Sequence, residues 1–246
     1  MGVTVDDLLG GQLTIRQPVR GPRVNMDTIL LAGFVRLKRR ERALELGCAT
    51  GGVAMLMAWR SSAHVTGLEI DQRFVELARQ NAESNGLSDR LSFVCGDLTQ
   101  LWGRGQGGEY DVVAANPPYE EIGQGQPCAS PEDRTARQGS ACTLSDVCRA
   151  ASWSLRDKGR LYMVMRARRL ADTVACLRAA SLEPSVLRFV HPKADRPASV
   201  FLMEARRFGG VGLRVLRPLV MHAPDGSLTD EFLKFYEKEA PSCPSS

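Results

Sequence analysis

Residues 43–53 read Ala-Leu-Glu-Leu-Gly-Cys-Ala-Thr-Gly-Gly-Val, an apolar strand that runs through a glycine-rich turn into a helical stretch, Val53 to Arg60. Small residues at such a turn let the backbone approach a ligand closely, and the following helix offers unpaired N–H groups. From residue 42 onward, short β-rich runs alternate with helix-period segments, the pattern of a parallel sheet wrapped by helices on both faces. Strands are expected near 43–46, 64–69, 91–95, 110–115, 160–165, 186–190 and 199–205. Between the second and third, Asp71 reads as an N-cap, Phe74, Val75, Leu77, Ala78 and Ala82 form one apolar stripe, and Gly86 ends the helix. Before this unit, Leu13 to Val24 reads as extended and Asp27 to Leu37 as helical.

The chain has 246 residues, 43% hydrophobic and 24% charged, so it can bury a sizeable core and is neither disordered nor fibrous. No run of ~18 apolar residues occurs, and Asp6 and Asp7 stand where a secretory signal would carry basic residues. The expectation is a cytoplasmic protein with no membrane partner. Seven cysteines without a C-x-x-C pair suggest neither a disulfide framework nor a zinc site, and His64, His191 and His222 form no cluster, so no metal is expected. Residues 1–42 carry a net charge of +4 and residues 160–218 a net charge of +8, leaving −8 for the remainder. Two basic segments suit a polyanion if folding brings them onto one face. The reading divides the chain into an N-terminal extension packing on the catalytic domain (1–41), the domain itself (42–240) and a frayed tail (241–246).

Polar residues gather at the expected strand ends. Glu69, at the end of the second strand, can accept hydrogen bonds from both hydroxyls of a ribose. Asp97, after the third, can receive the exocyclic amine of an adenine. The turn itself reads Glu45-x-Gly47-x-Ala49-x-Gly51; an acid ahead of the glycines would repel a pyrophosphate but suits a cationic amino group. This arrangement resembles the first motif of class I S-adenosylmethionine-dependent methyltransferases, with Ala49 where the middle glycine is usual.

The fourth strand ends in Asn116-Pro117-Pro118-Tyr119. Two prolines stop the strand and remove two N–H donors, leaving carbonyl oxygens on offer. If the Asn116 side-chain oxygen and the Pro117 carbonyl each accept one N–H of an adenine amine, the nitrogen is drawn toward tetrahedral geometry and its lone pair is freed to face a methyl group. Tyr119 supplies a flat face for a flipped-out base. Here the chain resembles the amino methyltransferases that act on planar nitrogens, and more closely the bacterial tRNA(Val) adenine-N6 methyltransferase family. The likeness runs through Gln17 to Val35, the four strand-end motifs, Arg134-Thr-Ala-Arg137 and Leu216-Arg-Pro-Leu219, with Gln138-Gly139 where relatives often carry His-Glu.

The resemblance implies a Rossmann-like α/β fold, a doubly wound seven-stranded sheet with six parallel strands and the last antiparallel. It also implies S-adenosyl-L-methionine as cofactor, held by Glu45, Gly47, Ala49, Gly51, Glu69, Asp97 and Asn116, with Asp27 closing over its methionine end or serving as an N-cap. Asn116, Pro117, Pro118 and Tyr119 would hold the target amine, and Arg134 and Arg137 would grip phosphates of tRNA. The long Gly-, Gln- and Pro-rich stretch 120–140 is expected to be a loop, either functional or disordered. The rivals are methylation of a protein glutamine at N5, methylation of guanine N2 in RNA, and a nucleotide-dependent RNA-binding module without catalysis.

Overall fold

The computed structural model describes residues 2–101, 107–117 and 142–238. Strands β1 (Val3–Leu8) and β2 (Leu13–Pro18) form an antiparallel hairpin, followed by α1 (Met26–Phe34). The alternating unit then runs β3 (Arg42–Leu46), α2 (Gly52–Arg60), β4 (His64–Glu69), α3 (Gln72–Ser84), β5 (Leu91–Cys95) and β6 (Tyr110–Ala115). It continues with α4 (Leu144–Ser154), β7 (Leu155–Arg166), α5 (Leu170–Ala179), β8 (Leu182–Lys193) and β9 (Val200–Arg207). Short strands β10 (Arg214–Val215) and β11 (Leu219–His222) and a last helix α6 (Asp230–Leu233) follow.

All seven expected strands lie in one sheet, in the order β8-β9-β7-β6-β3-β4-β5, with β9 antiparallel to both its neighbours. The seven-strand expectation is corrected in count: among the described residues the sheet has nine strands, because β10 and β11 both add to β8 in parallel. Those strands are two and four residues long, too short for a period to show, and Pro218 separates them. The hairpin strand β1 is a second difference; its six residues, Val-Thr-Val-Asp-Asp-Leu, present no apolar run.

Side chains of the inner strands alternate between two cores. Ala43, Val112, Ala114, Tyr162 and Val164 face a cluster shared with α1, α2 and α3, whereas Leu44, Leu46, Val113, Ala115, Leu161 and Met163 face α4 and α5. Burial on both sides explains why these strands read as continuous apolar runs. Leu13, Ile15 and Phe232 belong to the first cluster, together with Val53, Met55 and Leu56 of α2.

The hairpin is fastened to α3 by two asparagines one turn apart. Asn81 accepts from the Arg16 N–H (2.7 Å) and donates to the Arg16 carbonyl (3.0 Å); Asn85 does the same with Thr14 (2.9 and 2.8 Å). Residues i and i+4 of a helix lie on one face, and alternate residues of a strand share one edge, so two amides replace a neighbouring strand. From β3 the chain moves outward to β4 and β5, then returns to β6 on the other side. This reversal opens a crevice beyond the carboxyl ends of β3 and β6, where ligands bind in open α/β sheets.

Candidate active site

Leu46 pairs with both Leu68 and Ala115, so the turn starting at Gly47 leaves the sheet between the ends of β4 and β6. The N–H groups of Gly47 and Cys48 both donate to the Leu68 carbonyl, at 2.9 and 3.0 Å. Gly47 has a φ of +68°, and a Cβ there would meet nothing within 4 Å, so its face toward the crevice is open. Gly51 has a φ of +83°, and a Cβ would come 2.7 Å from Phe93. Ala49 also lies in the left-handed region, at a φ of +46°, which costs a non-glycine residue about 1–2 kcal/mol. Its N–H is held at 2.8 Å by Glu69 Oε2.

The four expected acids differ in what they hold. Glu45 is 3% exposed, and its Oε2 accepts from the N–H of Ala54 at 2.7 Å, tying β3 to the first turn of α2. Burial raises its pKa well above the usual carboxylate range, the Ala54 N–H opposes that shift, and the charge of Glu69 adds to it. The expectation aimed Glu45 at an amino group; the partner seen is backbone. Glu69 uses one oxygen for Ala49 and the other for the N–H of Asp71 at 3.0 Å. Each carboxylate oxygen carries a second lone pair, so two hydroxyls can still be received. Asp97 caps a short 3₁₀ turn, its Oδ1 accepting from the Thr99 N–H (2.8 Å) and hydroxyl (2.7 Å), while Oδ2 has only a 3.5 Å contact with Gln100.

Asp27 is buried in the first turn of α1, but Asn25 caps that helix, so the N-cap alternative for Asp27 is corrected. The capping signal was ambiguous because Asn and Asp both cap well and stand two residues apart. The start of α1 abuts the start of α2: a Cβ on Gly52 would lie 3.2 Å from Thr28 Cγ2. Asn116 follows Ala115 directly and so leaves β6 alongside Gly47; it is half-buried and Pro117 is buried. Pro118, Tyr119, Arg134 and Arg137, like the stretch 120–140 and the tail, lie outside the described residues.

One residue was not singled out from the sequence. Ile70 is 54% exposed although apolar, and it follows Glu69 at the rim. The Gly96 N–H donates to the Glu69 carbonyl at 2.9 Å, which draws the ends of β4 and β5 together and sets Ile70 beside Asp97's loop. The signal available was a large aliphatic residue immediately after a strand-end acid. Cys48 lies beneath this rim, and burial with Glu45 and Glu69 nearby pushes its thiol up, making it a packing residue. Among the described residues, no group of three or more His, Cys, Asp or Glu could hold a metal, and no helix is long and apolar enough to cross a membrane.

A protein family described as a methyltransferase domain matches residues 37–190. The chain is 26% identical to a tRNA1(Val) (adenine(37)-N6)-methyltransferase of Parabacteroides distasonis, over 74% of this chain and 76% of the relative. It is 25% identical to the protein of that name in Aeromonas hydrophila, over 86% and 87% respectively. Among solved structures, a "predicted O-methyltransferase" from Agrobacterium tumefaciens superposes with a TM-score of 0.71 at 24% identity, covering 87% of this chain and 97% of that one. A geranyl diphosphate C-methyltransferase from Streptomyces coelicolor, crystallised with S-adenosyl-L-homocysteine, superposes with a TM-score of 0.52 at 12% identity, covering 73% and 76%.

Proposed function

This chain belongs to the methyltransferase-domain family, and from that premise we propose that it methylates the exocyclic N6 of an adenine in tRNA, at the position 3′ of the anticodon, using S-adenosyl-L-methionine. The observation that carries the reading is the exit of Asn116 and Pro117 from β6 alongside Gly47, at the point where the strand order reverses. Relatives named for adenine-N6 methylation of tRNA support the choice of base and substrate.

The crevice fits the cofactor by its donors and acceptors. Glu69 receives the ribose hydroxyls on its remaining lone pairs, Asp97 Oδ2 the adenine amine, and Ile70 offers an apolar face to the base. Gly47 leaves the backbone bare beneath the methionine end, Ala49 and Gly51 complete the turn that lines it, and Asp27 borders it from α1. When bound, the cofactor supplies a methyl group on a cationic sulfur, an electrophile that needs no metal. Glu45 takes the role of holding α2 in place under that end.

The chain's own work is to aim a nitrogen. An adenine amine is a weak nucleophile because its lone pair is delocalised into the ring. Asn116 Oδ1 and the Pro117 carbonyl accept its two N–H groups and hold the nitrogen with the lone pair turned toward the methyl group. The N–H bonded to an acceptor loses its proton after transfer, when the nitrogen is positively charged. Tyr119 stacks on the flipped base, and Arg134 and Arg137 hold neighbouring phosphates. Most of the acceleration comes from alignment. Residues 1–41 act as an extension of the catalytic unit at 42–240, since Leu13 and Ile15 share the core of α2. A tRNA substrate fits the cytoplasm as the working compartment.

The test is transfer of tritiated methyl groups into total tRNA and, separately, total protein, both from a strain lacking this gene, followed by nucleoside mass spectrometry. Label in tRNA recovered as N6-methyladenosine is expected. Label in protein alone moves the reading to glutamine, and label as N2-methylguanosine moves it to guanine.

A further inference from the structure

The carboxyl edge of the sheet is electrically divided. On the β3-β4-β5 half stand Glu69, Asp97 and Asp71, the last paired with Arg73 at 2.6 Å. On the other half, beyond Asn116, the chain exposes Arg166, Arg168, Lys193 and Arg196. Strands β6, β7 and β8 run in one direction, so the ends of all three emerge at the same edge. β7 continues three residues past Met163, the partner of Ala115, and ends in Arg166. Val200 pairs with both Arg166 and Val190, which puts the turn after β7 and the loop after β8 side by side.

The two loops are also joined directly. The Ala167 N–H donates to the Ser199 carbonyl at 3.1 Å, and the Ser199 N–H donates to the Val190 carbonyl at 2.9 Å. Within the second loop, the Arg196 N–H donates to the Lys193 carbonyl (3.1 Å), and His191 Nδ1 contacts the Arg196 carbonyl (2.8 Å). The acids nearby are Asp172, paired with Arg169 at 3.0 Å, and exposed Asp195. Four exposed cations on two mutually bonded loops thus form a strip that begins one strand away from Asn116. Lys193 lies three strand spacings from β6, roughly 15 Å.

Among the described residues, several other basic side chains are tied to acids away from this strip. Arg23 pairs with Asp6, Arg178 with Glu183, Arg188 with Glu231 and Arg160 with Glu41. Lys38, Arg39 and Arg40 precede β3 and so lie at the opposite, amino edge. These three cations of the first basic segment therefore stand away from the strip.

We propose that Arg166, Arg168, Lys193 and Arg196 form the phosphate-binding track that positions the RNA strand on either side of the target base. This rests on the reading of RNA as the substrate of the same site. An anion on the β7–β8 half is attracted, while Glu69 and Asp97 on the other half repel it and leave that half to the cofactor. Exposed cations at this spacing contact backbone phosphates and carry no base readout.

The test uses the full chain and fluorescent tRNA, comparing R166Q/R168Q and K193Q/R196Q with K38Q/R39Q, which removes the same charge at the opposite edge. Each lost phosphate contact lowers the salt slope of log K by about 0.7–0.9, so each strip variant is expected to bind tRNA about tenfold more weakly at 0.15 M salt. Its salt slope falls by about 1.5, with KM for tRNA raised, kcat retained and S-adenosyl-L-homocysteine binding unchanged. The control keeps wild-type affinity. Strip variants that bind like wild type, or a control that loses as much as they do, overturn the track while leaving RNA as substrate. A wild-type chain that neither binds nor methylates tRNA overturns the substrate reading itself.

Discussion

Asn81 joins three parts of the molecule, and its replacement is the sharpest test of how the hairpin and the glycine turn are held. The side chain is 1% exposed. Besides its two bonds to Arg16, its amide donates to the Thr50 carbonyl at 3.0 Å, inside the turn that precedes α2. Asn81→Ala removes three hydrogen bonds, each contributing about 0.5–1.5 kcal/mol net, with more where a buried group is left unpaired. The Arg16 backbone is half-buried and can be rehydrated, whereas Thr50 is buried. The expected loss is about 3 kcal/mol in urea unfolding, or a melting temperature lower by roughly 10 °C for a chain of this size. Asn81→Asp has the same shape and keeps the acceptor for the Arg16 N–H, but sets a carboxylate oxygen against two carbonyls. Its carboxyl then has a raised pKa in the folded state, so its stability should be lowest at neutral pH and recover as pH falls and the group protonates. A loss under about 1 kcal/mol for Asn81→Ala, or an Asp variant as stable as wild type at pH 7, would refute this account.

Two further substitutions probe the turn. Ala49→Gly removes the Cβ that makes a φ of +46° costly; after the added chain entropy of glycine, about 0.5–1 kcal/mol of stabilisation should remain. A loss of stability in urea unfolding would show that Ala49 is not strained. Glu45 has a folded-state pKa above its unfolded one, because burial disfavours the charge. The folded state therefore binds the proton more tightly, and stability is lost as pH rises from the unfolded value toward the folded one. Glu45→Gln keeps the acceptor for Ala54 and should melt higher than wild type above that window, with the gap closing toward pH 4.5. A constant gap at all pH values would contradict a buried, titrating Glu45.

What could be read in advance follows from how each element is buried. Strands β3, β6 and β7 are covered on both faces, so runs such as Val112-Val113-Ala114-Ala115 announce themselves. Asp71 was legible as a cap because an acid precedes an amphipathic helix, and its side chain does accept from the Arg73 N–H at 2.9 Å. The hairpin strand β1 was not, since Asp6 and Asp7 sit in a strand with a single partner. Nor could residue order reveal that Glu45 points under α2, because a strand-end acid serves equally to cap a helix or meet a ligand. Asn81 and Asn85 stand at helical spacing like any solvated pair, and only the distant hairpin makes them structural. Ile70 was hidden for the opposite reason: an aliphatic residue next to a strand end reads as core until its exposure is seen.

The division of labour along the carboxyl edge is tested most directly by measuring cofactor affinity and turnover together in two variants, Glu69→Gln and Asn116→Ala. Calorimetry with S-adenosyl-L-homocysteine should show weakened binding by Glu69→Gln, which exchanges a charged acceptor of hydroxyls for a neutral one, by about tenfold to a hundredfold at 1.5–3 kcal/mol per charged hydrogen bond. Asn116→Ala should bind within a few-fold of wild type and lose methyl transfer to tRNA by at least a hundredfold, about 2.7 kcal/mol of transition-state alignment. Equal loss of binding and turnover in Asn116→Ala would contradict the account, because Asn116 would then hold the fold or the cofactor and not the target amine.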